Sequence, residues 1–473
     1  MKLIVSRVAR LFACAALTSI GAVPAMLTAA ASAQDLGVKA APTAKMTVIV
    51  GATIHPIDGP AIDNGAIWFD GEAIRGMGTA QAWQDFLAAA RFREMPTQIE
   101  ARGKHVWPGL IGVYTQLGLT EIAAVRQSID IRETGDITPE VRGCVAVNPD
   151  STLIPVTRTN GVLLAGVFPE GGILPGRPSV IRLDGWTVPE MTVRDACGII
   201  VRWPSVRPIS AWWMDRSEDD QLKEIRENLQ MIERAFDAAE AYTQARRAEP
   251  ATPEDLRWEA MSGLFPPEGQ KGQTPPPLFI HAGDVDQINS AVAFAAGRGM
   301  RCVIIGGRDA ASCAELLKRY DVPVIVRGTF VMPKRGDAPY DDGYTLPARL
   351  QAAGVRFAIA SGESTANERN LPYAAAMAVA HGLSHDQAVQ AITRSPAEIL
   401  GVADRYGSLG EGKSATLILT SGSPLEVTTR VERAFVEGRE IDLSNKQTKL
   451  AEKYRERYRQ TGDLQRGEAP KKE

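Results

Sequence analysis

The chain has 473 residues, a formal net charge of −3 and an ordinary share of apolar residues. That is too long for one small domain and enough for a large core with a satellite. It lacks the basic excess of a nucleic-acid-binding protein, so no nucleic-acid partner is expected.

The first 33 residues have the order of an export signal. Lys2, Arg7 and Arg10 precede an apolar, Ala-rich run from Leu11 to Ala30, and the small residues Ala31-Ser32-Ala33 stand before Gln34. Thr18, Ser19, Gly21, Pro24 and Thr28 interrupt the run, which argues for cleavage over a permanent anchor. The mature protein is therefore expected in the periplasm or outside the cell. It is not expected to be an integral membrane protein, because no later stretch is long and apolar enough to span a bilayer. Of five cysteines, Cys14 leaves with the signal, and Cys144, Cys197, Cys302 and Cys313 are too scattered for a zinc pattern. One or two disulfides, or isolated buried thiols, both fit that spacing in an oxidising compartment.

A polar linker, residues 34–44, leads into Met46–Ile54, a β-rich run. Gly65–Phe69 and Glu72–Met77 follow as strands around the turn Asp70-Gly71. From Pro108 to about Gly401, apolar strand-like runs alternate with helical ones: Gly161–Val167, Leu278–Ile280, Cys302–Ile305, Val322–Val326 and Val355–Ala360. Val285–Ala296 and Ala310–Tyr320 read as the intervening helices. This alternation fits a βα barrel or a doubly wound sheet. Ser217–Arg247 carries Leu222, Ile225, Leu229, Ile232, Ala235 and Phe236 at helical spacing and predicts a long amphipathic helix. Pro250–Pro277 is rich in Pro and Gly and predicts a surface loop. Trp203, Trp212 and Trp213 lie just before the long helix, where packing of the insert is the expected role. Ala415–Leu419 and Val431–Glu437 are late strands, and the charged stretch from Asn445 is a helix with a basic tail.

Within this pattern, Trp107-Pro-Gly-Leu-Ile-Gly112-Val-Tyr114-Thr-Gln116-Leu-Gly118 resembles the segment Pro-Gly-Leu-Ile-Asp-x-His-x-His-Leu-Gly that opens the barrel of the amidohydrolase superfamily. Thr393–Gly401 followed by Gly407–Lys413 resembles that family's closing signature, although Ser414 and Thr416 replace its usual Asp pair. The resemblance implies an α/β fold: a (β/α)8 TIM-type barrel with a small β-sandwich formed by both chain ends. It divides the chain into a signal (1–33), linker (34–44), sandwich (45–106), barrel (107–401, helical insert near 215–248), returning sandwich (402–443) and charged tail (444–473).

The resemblance also implies a metal hydrolase site at the C-terminal ends of the strands. Most of its ligands are missing. Tyr114 and Gln116 occupy the histidine pair, and Gly112 the preceding Asp. His281 is retained on its strand. Gly306-Gly307 stand where another histidine is usual, and Gly362 where the last-strand Asp is expected. One histidine cannot hold a catalytic zinc, so no cofactor and no tight metal site are expected, although a weakly held divalent ion is compatible. His381 and His385 have ligand-like spacing, but Gly382 should break the helix between them. His105 and His55 read as structural.

The expected pocket is a single polar cavity lined by Tyr114, Gln116, His281 and Glu363, with Arg308 and Ser361 as further candidates. By resemblance the protein is an exported hydrolase of C–N bonds, cyclic or non-peptide amides, with its metal site degraded. The alternatives are a non-catalytic binder of a small polar molecule or peptide, or a structural partner of an intact paralogue in a homo- or hetero-oligomer.

Overall fold

The computed structural model describes residues 35, 37–39, 41, 45–92, 94–209, 215–267, 274–362 and 364–462. The expected export signal, residues 1–33, lies outside the described residues, as do Trp212, Trp213, Glu363 and the extreme C-terminus.

Both chain ends build one mixed sheet. Strands β1 (Thr47–Ile54), β2 (Ile62–Asp70), β3 (Ala73–Thr79), β4 (Thr97–Glu100) and β5 (His105–Pro108) come from the N-terminal part. Nine further strands of the described residues belong to the central body. The C-terminal part then adds β15 (Leu417–Thr420), β16 (Val431–Val436) and β17 (Arg439–Glu440). The order is β17-β16-β15-β5-β1-β2-β3, with β4 on β1. Alternation explains its buried face: Ile49, Ile67, Phe69, Leu417 and Phe435 enclose a small core of their own. Phe69 and Phe435 meet edge-on at 5.2 Å, so ring packing ties the two chain ends together.

The central body begins with β6 (Leu110–Thr115) and β7 (Val162–Val167), which pair in parallel. An antiparallel hairpin, β8 (Ser179–Arg182) and β9 (Thr192–Arg194), extends that sheet. A second, all-parallel sheet holds β10 (Ile199–Arg202), β11 (Leu278–Ala282), β12 (Cys302–Gly306), β13 (Val324–Val326) and β14 (Phe357–Ile359) in that order. Their nearly unbroken apolar runs suit strands covered on both faces. A few isolated backbone bonds link the sheets. Ile200 N–H donates to the Gly176 carbonyl at one junction. At the other, Ile359 and Ile111 donate to the carbonyls of Ala391 and Ile392.

The fold is thus TIM-barrel-like, but the ladder does not close among the described residues, and an eightfold parallel barrel was the expectation. The reason is local. The β8–β9 hairpin takes the edge of β7, and Ala391–Ile392 is too short a stretch to form a strand between β14 and β6.

The long helix spans Glu218–Ala248, one residue off its predicted bounds. Ser217 caps it, and Glu218, Asp219 and Asp220 suit its N-terminus as Arg246 and Arg247 suit its C-terminus. Ile232, Ala235, Phe236 and Ala239 are its buried stripe, with Phe236 against Phe294 at 5.1 Å. Part of the expected surface loop is instead a helix, Leu256–Met261, capped by Asp255, because Met261 reaches the main core. The four described cysteines are free and buried. No helix of the described residues is long and apolar enough to cross a membrane.

Candidate functional site

Strand register sets the site. Arg202 at the end of β10 pairs with His281 on β11, and the same rung continues through Ile305 and Ile325. Parallel neighbours in one rung share a face, and residues two apart along a strand share it too. Arg327, two beyond Ile325, therefore faces the side that Arg202 and His281 face.

These residues line a cavity of about 550 Å³ with Trp203, Arg308, Lys334 and Gly362 among its walls. A second cavity of about 200 Å³ adjoins it and is lined by Tyr114, Gln116, Glu121 and Glu170. Arg327 and Gly362 belong to both walls. The expected single cavity is accordingly two, because the Arg327 guanidinium lies 4.9 Å over the Tyr114 ring. Tyr114 still touches the larger side, its ring edge-on to His281 at 5.7 Å. Tyr114 and Gln116 are brought together, as are His281 and Arg308. Ser361 lines neither cavity: it is buried and donates to Glu368 at 2.7 Å. Glu363 lies outside the described residues.

The electrostatics differ between the two compartments. Burial, then Arg327 and Arg202, push the His281 imidazole down to about 3, so it is neutral at physiological pH. Among the described residues its ring makes no protein hydrogen bond. Burial pushes the Tyr114 phenol up to about 12, against the pull of Arg327; the neutral hydroxyl donates to Glu170 at 3.4 Å. Burial also raises the Glu121 carboxyl in the smaller compartment.

The family resemblance implies a divalent metal, and this donor set does not fit one. Among the described residues no three His, Cys, Asp or Glu side chains converge. One neutral imidazole, a phenol and an amide are weak company for zinc, and two guanidiniums beside them repel a dication. Gly362 cannot be exchanged for an aspartate in place. Its φ is +72°, and a Cβ there would lie 2.5 Å from the Arg327 carbonyl oxygen.

The other histidines are structural. His55 Nε2 and His105 Nδ1 are 3.0 Å apart, and His55 stacks on Trp107 at 3.5 Å. His381 bonds the Met377 carbonyl, and His385 bonds Ser423, on either side of the break at Gly382. Burial, then His105 and His385, lower His55 to about 4. Trp203 is buried against Phe294 as expected, and also walls the larger cavity.

A pH prediction follows from the two lowered histidines. The unfolded chain takes up protons on them below about 6.5, while the native protein keeps them neutral down to about 4 and about 3. Their contribution is intact above pH 6.5 and is lost as the pH falls. Urea midpoints at pH 7.5 and 5 should differ less for His281→Asn than for the unaltered protein. Equal differences would mean that His281 is not held neutral.

Arg202, Arg327, Lys334 and Glu170 were not singled out by sequence. A signal existed: Ile199-Ile-Val-Arg202 and Val324-Ile-Val-Arg327 each put a cation right at the C-terminal end of an apolar parallel strand.

Comparison with known proteins gives the same architecture. The model of the amidohydrolase family matches residues 337–441. The chain is similar to the amidohydrolase tasK of Hapsidospora irregularis, 22% identical over 444 residues, covering 83% of this chain and 43% of that protein. The chain therefore spans less than half of that relative's length. Among solved structures, an amidohydrolase from Thermotoga maritima MSB8 aligns with a TM-score of 0.69 at 22% identity, covering 83% of this chain and 99% of that one. Molinate hydrolase aligns at 0.50 and 15% identity, over 86% and 96%. These structural likenesses carry the fold.

Proposed function

We propose that this chain is an exported ligand-binding member of the amidohydrolase superfamily; the family match over residues 337–441 and the similarity to an amidohydrolase support the family, and the guanidiniums at the strand ends support binding without a metal. In this reading it holds a small polar molecule at the C-terminal mouth of the parallel strands, and no step runs through a divalent metal. The observation that carries it is the set Arg202, His281 and Arg327 on one face around a cavity of about 550 Å³. That volume suits a small molecule.

Hydrolysis of C–N bonds is the family's chemistry. Here a His281 imidazole pushed down to about 3 is too weak a base to take a proton at neutral pH, Tyr114 holds its hydroxyl toward Glu170, and among the described residues no set activates water as the metal does. Binding is therefore favoured over turnover. Elemental analysis of purified protein after dialysis should find well under one equivalent of zinc, manganese or iron. Two equivalents would sink this reading and restore metal-dependent hydrolysis. Export is part of the same proposal, on the order of charge, apolar run and small residues in residues 1–33. Sequencing of the mature N-terminus should start near Gln34; an intact Met1 on membrane-bound material would count against it.

A further inference from the structure

We infer that the larger cavity binds a small dianion, a dicarboxylate or a phosphate ester, gripped between Arg202 and Arg327 beside His281. The inference rests on the ligand-binding reading above and names the ligand's chemistry.

The charge balance of the walls carries it. Arg202 and Arg327 are exposed into the mouth, and among the described residues neither forms an ion pair or a side-chain hydrogen bond. Lys334, on the same wall, has no ion-pair partner there either. The acids that line the cavity are committed elsewhere. Asp284 caps the helix Val285–Gly297, accepting from Gln287 N–H at 2.9 Å. Asp342 pairs with Arg349 at 2.6 Å. Arg308 has its own carboxylate, Asp309, at 3.5 Å.

Three cations without ion-pair partners on one concave wall, against the one carboxylate there that has none, Asp284, leave a net positive field, which low-dielectric walls focus on the cavity. Stacking on Tyr114 holds the Arg327 plane in place before any ligand arrives, so less side-chain freedom is lost on binding. Planar guanidinium groups match carboxylate and phosphate oxygens through paired N–H donors. The neutral imidazole offers one ring N–H to the same ligand and adds no charge, so the site's preference is set by the arginines.

Calorimetric titration of the full chain at pH 7.5 and low salt tests this with three probes: succinate, inorganic phosphate and neutral succinamide. Binding of either anion at one site per chain is expected, at least tenfold tighter than succinamide; which anion binds tells carboxylate from phosphate. Arg327→Gln and Arg202→Gln should each weaken the anion at least tenfold, the size of a lost charge-assisted bond. Lys453→Gln on the C-terminal helix should leave it unchanged. Thermal melts of each variant verify folding, and if Arg327→Gln does not fold, Arg327→Lys serves, since it keeps the charge and removes the paired donors.

Succinamide binding as well as succinate would overturn the dianion and leave the ligand-binding reading standing. Anion binding that survives both arginine substitutions would place the ligand elsewhere and overturn the inference too. If no probe binds and two metal equivalents are present, both readings fall.

Discussion

Asp184→Ala is expected to destabilise the protein by about 3–5 kcal/mol, the usual cost of orphaning a buried charge. Arg158 and Asp184 meet at 3.1 Å, with side chains 3% and 2% exposed. Arg158 closes the helix Leu153–Arg158 that leads into β7, and Asp184 follows β8, so the pair clamps the elements flanking the first parallel strands. Arg158 also donates to the Leu183 carbonyl at 3.4 Å, too weak a bond to compensate for a lost carboxylate. Chemical denaturation measures the loss. The double change Arg158→Met, Asp184→Leu should recover most of it, since an apolar pair of similar volume avoids desolvating two ions. A loss under about 1 kcal/mol for Asp184→Ala, the range of an exposed pair, would show that the ion pair is not buried in solution.

Gly112→Ala is expected to cost about 1–3 kcal/mol, the range for overpacking a filled core. A Cβ on Gly112 would lie 2.5 Å from Glu368 Oε1. Glu368 is 1% exposed, and its other oxygen accepts from Ser361 at 2.7 Å, so the carboxylate has little room to withdraw. The family segment that Pro108–Gly118 resembles has an aspartate where Gly112 stands, and here the Glu368 carboxylate enters the same space from the segment after β14. Combining Gly112→Ala with Glu368→Ala should cost clearly less than the sum of the single changes, because the second removes the obstacle to the first. Strict additivity in denaturation midpoints would refute the contact.

The sequence alone carried the elements whose cause is local. The periodicity of Ser217–Arg247 gave a helix within one residue of its bounds, and the strand-length apolar runs marked β7 and β11 to β14. The frame around Trp107–Gly118 pointed to the fold, and the expectation of a lost metal site rests on Tyr114, Gln116, Gly112 and Gly362, because a residue's donor chemistry is written in its identity.

What depended on chains meeting in space was not legible. Nothing local in Val324–Arg327 says that its guanidinium will cover Tyr114, over two hundred positions away in the chain, and divide one cavity into two. Nor does Ala391–Ile392 announce that it stands between β14 and β6, or Ser361 that it turns inward to Glu368. These are outcomes of strand register and side-chain packing. Alternation and composition specify which face a residue takes, but only tertiary structure decides what that face meets: Arg202 and Arg327 on either side of His281, around one cavity.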